Sequence, residues 1–240
     1  MKFFILGCLI SITSAHAVSF QQLEGCLSRD GVKIEHYQKD SSKTTGKNIL
    51  VLGQIHGDEP QAGELARRWI ARLETLSPSN TWRVLPLVNP DGTKLKTRMN
   101  ANGVDLNRNF PTKDWEGIAL HHWETKQKKD PRRYPGTHGG SETETLCVIK
   151  HIEDFKPDVV VSIHIPYGQL DFDGPTTKHI KMKALPWMRL GTFPGSLGHY
   201  LWDERKIPVL TIELKPDSLE KFGYEFNLLQ DQISFLAAND

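Results

Sequence analysis

The stretch from Asn48 to Gly63, NILVLGQIHGDEPQAG, sets the narrowest limits on the fold. Ile49, Leu50, Val51 and Leu52 form a short continuous apolar run, the pattern of a strand buried on both faces, and Gly53 ends it. Pro60 suits a first helical position, and Leu65, Trp69, Ile70, Leu73 and Leu76 follow at helical spacing. His56 and Glu59 therefore fall in a strand-to-helix turn, at the strand end where open α/β sheets bind ligands. An imidazole and a carboxylate three residues apart can face one ion, and zinc accepts both ligand types. Taken alone, the pair is also what a solvated glutamate and a hydrogen-bonded turn histidine would look like.

Later stretches repeat this strand-then-polar logic. Val32 to Tyr37 alternates as a half-exposed strand, with His36 structural, and Trp82 to Val88 predicts another strand, ended by turn chemistry at Asn89-Pro90-Asp91-Gly92. The segment from Arg98 to Pro111 is long, polar and aperiodic, which in a compact domain points to function. Its arginines and asparagines can bind a carboxylate, since a guanidinium fork matches one in two hydrogen bonds. From Thr112 to Gly140 no periodicity is clear, and His121, His122 and His138 read as loop residues. Ser141-Glu142-Thr143-Glu144 reads as a capping box opening a helix, with Leu146, Ile149 and Ile152 on its apolar side. Val159 to Ile163 then forms a buried strand leading to His164, a third ligand candidate at the same sheet edge as His56. Pro194 to Gly198 opens a helical segment, and Pro208 to Leu214 is a strand with Glu213 near its end, a charge costly to bury without a role. Leu219 to Leu236 closes the chain as an amphipathic helix. The pattern predicts one α/β domain over residues 18–240, a mixed, mostly parallel twisted sheet flanked by helices.

Thirty basic against 29 acidic residues leave no field favouring nucleic acid or an anionic membrane. The basic run from Lys126 to Arg133 reads as a solvated loop. Residues 1–17 stand apart: Lys2, an apolar Phe3 to Ile12, and Ala15-His16-Ala17 fit a signal peptide. That apolar stretch is about half the ~20 residues a bilayer span requires, so stable membrane insertion is not expected. Export to the periplasm or medium, with cleavage near Ala17, is the expectation. The mature chain keeps Cys26 and Cys147, which in an oxidising compartment can pair, or else pack as two buried thiols.

Two histidines and a glutamate leave a fourth zinc position open, the mark of a catalytic site. In that reading His56, Glu59 and His164 hold one zinc ion, and Glu213 is the general base. Arg98 stabilises the oxyanion, while Asn107 and Arg108 hold a substrate carboxylate. The reaction class is hydrolysis of an amide beside a free carboxylate.

His56-x-x-Glu59, Arg98, Asn107-Arg108, His164 and Glu213, in this order and spacing, resemble the zinc carboxypeptidases related to carboxypeptidase A. Within them NPDG, NANGVDLNRNFP, SETETLCVI and PGSLG resemble the short bacterial murein peptide amidases. The resemblance implies a zinc carboxypeptidase-like fold and cleavage of the γ-D-glutamyl-diaminopimelate bond in murein peptides. It also shows a departure: the digestive enzymes carry a tyrosine on a mobile loop, and Lys181 to Phe193 here has none, leaving Tyr167 or Tyr200 as substitutes. A rival reading is an exported carboxypeptidase trimming wall or protein-derived peptides, favoured toward apolar residues if Leu197 lines its side-chain pocket. A third is a non-catalytic module that binds wall peptides.

Overall fold

The computed structural model describes residues 18–175 and 185–238; the leader read at residues 1–17 and part of the Lys181–Phe193 region lie outside them. Six strands make one sheet: β1 (Tyr37–Lys39), β2 (Asn48–Leu52), β3 (Thr81–Leu85), β4 (Val159–His164), β5 (Gln169–Asp173) and β6 (Val209–Glu213). Their order is β1-β3-β2-β4-β6-β5. The four central strands run parallel and the two edge strands antiparallel, so the sheet is mixed and mostly parallel.

Alternation along β2 explains its unbroken apolar run. Ile49 and Val51 point into a core with helix α1 (Pro60–Glu74) and helix α6 (Gly223–Ala238), where Trp69 and Phe226 pack. Leu50 and Leu52 point the other way, into a core with helix α4 (Thr143–Phe155). Both faces are covered, so no polar alternation survives in the strand. Because β2, β4 and β6 run parallel, their carboxyl ends share one edge, and His56, Glu59, His164 and Glu213 gather there.

Several local expectations are corrected. Val32 to Tyr37 is not a strand: the chain there makes only isolated bridges, Leu27 with Lys33 and Gln21 with His36, before β1 begins at Tyr37. Asn89 does more than turn the chain; it caps the short helix α2 (Pro90–Leu95), accepting a hydrogen bond from Gly92 N. The stretch from Thr112 holds a π-helical turn at Trp115–Ala119 and helix α3 (Leu120–Thr125). No residue of α3 is buried, so no apolar stripe marked it. The capping box does not form. Residue 142 occupies the N-cap of α4, Ser141 donates to Glu142 Oε1, and Glu144 is buried against Arg29 N and Asn100 Nδ2. Leu146 is half exposed, while Ile149 and Ile152 are buried as expected, joined on the apolar side by Cys147, Val148 and Phe155. The last helix is broken at Phe222 into α5 (Ser218–Lys221) and α6. Cys26 and Cys147 are bonded, their Cα atoms 4.9 Å apart, tying the segment before β1 to α4 across a separation of 121 residues. Among the described residues no helix is long and apolar enough to cross a membrane.

Candidate active site

Three parallel strands deliver the site. His56 and Glu59 follow β2, His164 ends β4, and Glu213 ends β6 directly opposite His164 in register. All four are buried, at the bottom of a cleft of about 570 Å³ that they line. Glu59 stands at the N-cap of α1 but makes no side-chain capping bond. Its carboxylate turns to the histidines instead, Oε1 lying 2.8 Å from His56 Nδ1 and Oε2 3.2 Å from His164 Nδ1. The two Nδ1 atoms lie 3.2 Å apart.

The opposite nitrogens fix the rings. His56 Nε2 lies 3.2 Å from Asp105 Oδ1, and His164 Nε2 lies 2.9 Å from Ser162 Oγ. A proton held on His56 Nε2 by that carboxylate leaves Nδ1 as a bare lone pair aimed into the group, the arrangement a metal-ligating histidine requires. Two imidazole nitrogens and a carboxylate oxygen, mutually within 4.8 Å, fit zinc in donor type, number and spacing.

Charges around the trio balance. Burial would raise the Glu59 and Asp105 carboxyls, but His56 and His164 beside Glu59, and Arg98 and His56 beside Asp105, hold both far below the ordinary range. Burial and Arg98 oppose the protonation of His56; Glu59 and Asp105 outweigh them and raise it. Burial, with Glu59 nearby, pushes Glu213 up against the opposing pull of His164.

Arg98 is held by Asp105, which accepts from its Nε at 2.9 Å, while Nη1 comes within 3.1 Å of His56 Nδ1. Asn107 spends its side-chain oxygen on Leu197 N at 2.9 Å, which orients its amide nitrogen. Arg108 is buried on the cleft wall, stacked over Phe193 at 4.6 Å, with Nη1 donating to Asn107 O and Nε lacking a partner among the described residues. Such an orphaned buried donor suits an incoming anion. Leu197 corrects the expectation made for it. Its side chain packs in the core with Phe110 and Tyr200 and does not line the cleft. Tyr200 is likewise buried in that core, whereas Tyr167 is exposed at the cleft and donates its backbone N–H to Glu213 Oε2. The basic run is also not merely solvated: Arg132 and Arg133 line the rim, and Arg132 pairs with Asp58 at 2.7 Å.

Sequence reasoning missed four residues. Asp105, fully buried, aligns both His56 and Arg98, and its signal was a lone carboxylate between two arginines in the polar loop. Ser162 aligns His164 and was hidden in an apolar run. Asp171 and Asp173 line the far wall from β5, an edge strand whose short sequence gave no pattern to read.

A buried imidazole–carboxylate trio able to hold a metal, with an opposed carboxylate at the carboxyl edge of a parallel sheet, is the donor arrangement that metal-dependent hydrolases use. More narrowly, the chain belongs to the zinc carboxypeptidase family, whose model matches residues 27–170. It is 41% identical over 125 residues to murein peptide amidase A of Escherichia coli K12, which covers 51% of this chain and 50% of that protein. The chain thus spans about half the length of that relative. Murein peptide amidase A of Vibrio campbellii is 32% identical over 179 residues, 71% of each chain. In fold, the chain resembles the crystal structure of murein-tripeptide amidase MpaA from Escherichia coli O157, with a TM-score of 0.63 and 24% identity over 90% of this chain and 94% of that one.

Proposed function

We propose that this chain hydrolyses the γ-D-glutamyl-diaminopimelate bond of murein peptides outside the cytoplasm, with His56, Glu59 and His164 as zinc ligands and Glu213 as general base. The observation that carries the reading is Glu213 standing opposite His164 in register, in one cleft with the orphaned Arg108. Bound by the trio, zinc supplies Lewis-acid chemistry, acidifying water and polarising a carbonyl. Glu213 takes the proton of the attacking water and returns it to the leaving nitrogen; its raised pKa suits both halves of that transfer. Arg98, held by Asp105, faces the oxygen on which negative charge develops. Asn107 and Arg108 hold the carboxylate of the leaving residue.

Two features favour a diaminopimelate leaving group over an apolar amino acid. Leu197, which would have lined an apolar pocket, is in the core. Asp171 and Asp173 put carboxylates on the cleft wall instead, and a diaminopimelate side chain carries an ammonium group to meet them. The relatives named murein peptide amidase support the same substrate. Export is supported by the leader pattern of residues 1–17 and by the Cys26–Cys147 bond, which persists in oxidising compartments.

Mass spectrometry of murein tripeptide and tetrapeptide, after incubation with zinc-loaded protein and a chelator control, tests the reading. Release of diaminopimelate or diaminopimelyl-alanine is expected. Release of terminal alanine alone would transfer the activity to carboxypeptidase trimming of wall peptides. Amino-terminal sequencing of protein recovered outside the cytoplasm tests export, with a start at Val18 expected.

A further inference from the structure

His151 and His36 take no part in the cleft, yet both are buried to within 1% of complete. Among the described residues, neither ring nitrogen of His151 has a hydrogen-bond partner, and His36 Nδ1 has none. The rings meet edge to face, 4.8 Å between centroids. Buried polar atoms are normally satisfied, and a buried imidazole with both nitrogens unpartnered calls for an explanation. The neighbours supply it. The sulfurs of Cys26 and Cys147 and a nitrogen of His151 lie mutually within 4.8 Å, the spacing of atoms that can share one metal ion.

We infer that the reduced chain carries a second zinc site, formed by the thiolates of Cys26 and Cys147 with His151. The disulfide and this site are alternative staples between the same two elements. A phosphine or dithiol reductant converts one to the other. With a phosphine, water supplies the oxygen of the phosphine oxide and the two hydrogens of the thiols as the Sγ–Sγ bond breaks. Zinc then displaces both thiol protons to solvent. Two thiolates cancel the ion's charge, so the complex is neutral in a place where an uncompensated charge would be costly. Arg83, whose charge acts on both rings, is already paired with Asp154 at 2.7 Å. The sealed position means the metal enters as the chain folds, as it does where thiolate–imidazole zinc sites drive folding.

Refolding from denaturant with cobalt(II), once oxidised and once under a phosphine, tests this. The oxidised protein should take one equivalent, at the cleft, without a thiolate-to-cobalt charge-transfer band. The reduced protein should take two and show that band. In the His151→Gln variant, checked for its fold by activity in the oxidised form, the reduced protein should lose the second equivalent and keep the first. Reduced wild-type protein that refolds with one equivalent and no band would overturn the inference. So would reduced protein that fails to refold with either cobalt or zinc while the oxidised control succeeds.

Discussion

At the scale of single residues, roles divide between groups that meet substrate and groups that aim them. Glu213→Gln keeps the shape and removes the base, so activity on murein tripeptide should fall by about 10²–10⁴-fold. Zinc content, read by metal analysis, should not change, since His56, Glu59 and His164 remain. Asp105→Ala should behave in the opposite way. It frees the His56 ring and the Arg98 guanidinium together, and loss of such an outer partner costs about 10–100-fold in metal affinity. Competition with a chelator of known affinity would measure this, and unchanged zinc binding would refute the positioning role. His56, Glu59, His164 and Glu213 were legible because each follows or ends an apolar run. Asp105 and Ser162 were not, because nothing local distinguishes a carboxylate or hydroxyl that aligns a histidine from one that faces water.

At the scale of elements, the turn carrying His56 is locked to α2. A Cβ on Gly57 would lie 2.0 Å from the backbone carbon of Gly92. Backbone cannot yield as a side chain tip can, so Gly57→Ala should shift the His56 turn away from α2. We expect impaired zinc binding and a lower melting temperature, read by metal analysis and calorimetry; wild-type zinc affinity would show that the turn adjusts freely. Asn89 serves the same junction, capping α2 while its amide donates to Ile55 O and Arg98 O, each at 3.3 Å. The N-cap signal was readable as turn chemistry. Its second use, bracing the segments that carry His56 and Arg98, required residues distant in the chain to be brought together. The failed capping box before α4 has the same cause. Glu142 and Glu144 find better partners in Asn100, Asn102 and Arg29 than in their own helix end.

At the scale of the whole molecule, the buried histidines and the disulfide make stability depend on pH and on reductant. Burial and Arg83 lower His36 to about 4, and burial, His36 and Arg83 lower His151 to about 3. Both rings are therefore neutral in the folded chain where the unfolded chain is protonated. Stability should be unaffected by these groups above their unfolded pKa near 6.5 and should fall as pH drops from there toward 4, with up to two protons taken up on unfolding. Denaturant melts between pH 7 and pH 4.5 measure this, and His151→Gln should flatten the slope. Reduction of Cys26–Cys147 under a chelator removes a crosslink closing a long loop, worth about 4–5 kcal/mol in the chain-entropy account.

Hydrophobic patterning along the chain was enough to determine the α/β class, the parallel core strands and the order of the candidate metal ligands, because strand and helix periods are local properties. It also yielded Glu213, since a charge inside an apolar strand is costly wherever that strand lies. Folding alone determined which polar groups became partners. The antiparallel addition of β5 put Asp171 and Asp173 on the cleft wall, and packing of the helical segment from Leu197 sent that side chain into the core rather than the pocket. Pairings of this kind depend on contacts tens of residues apart in sequence, and distance in space is what a linear pattern does not carry.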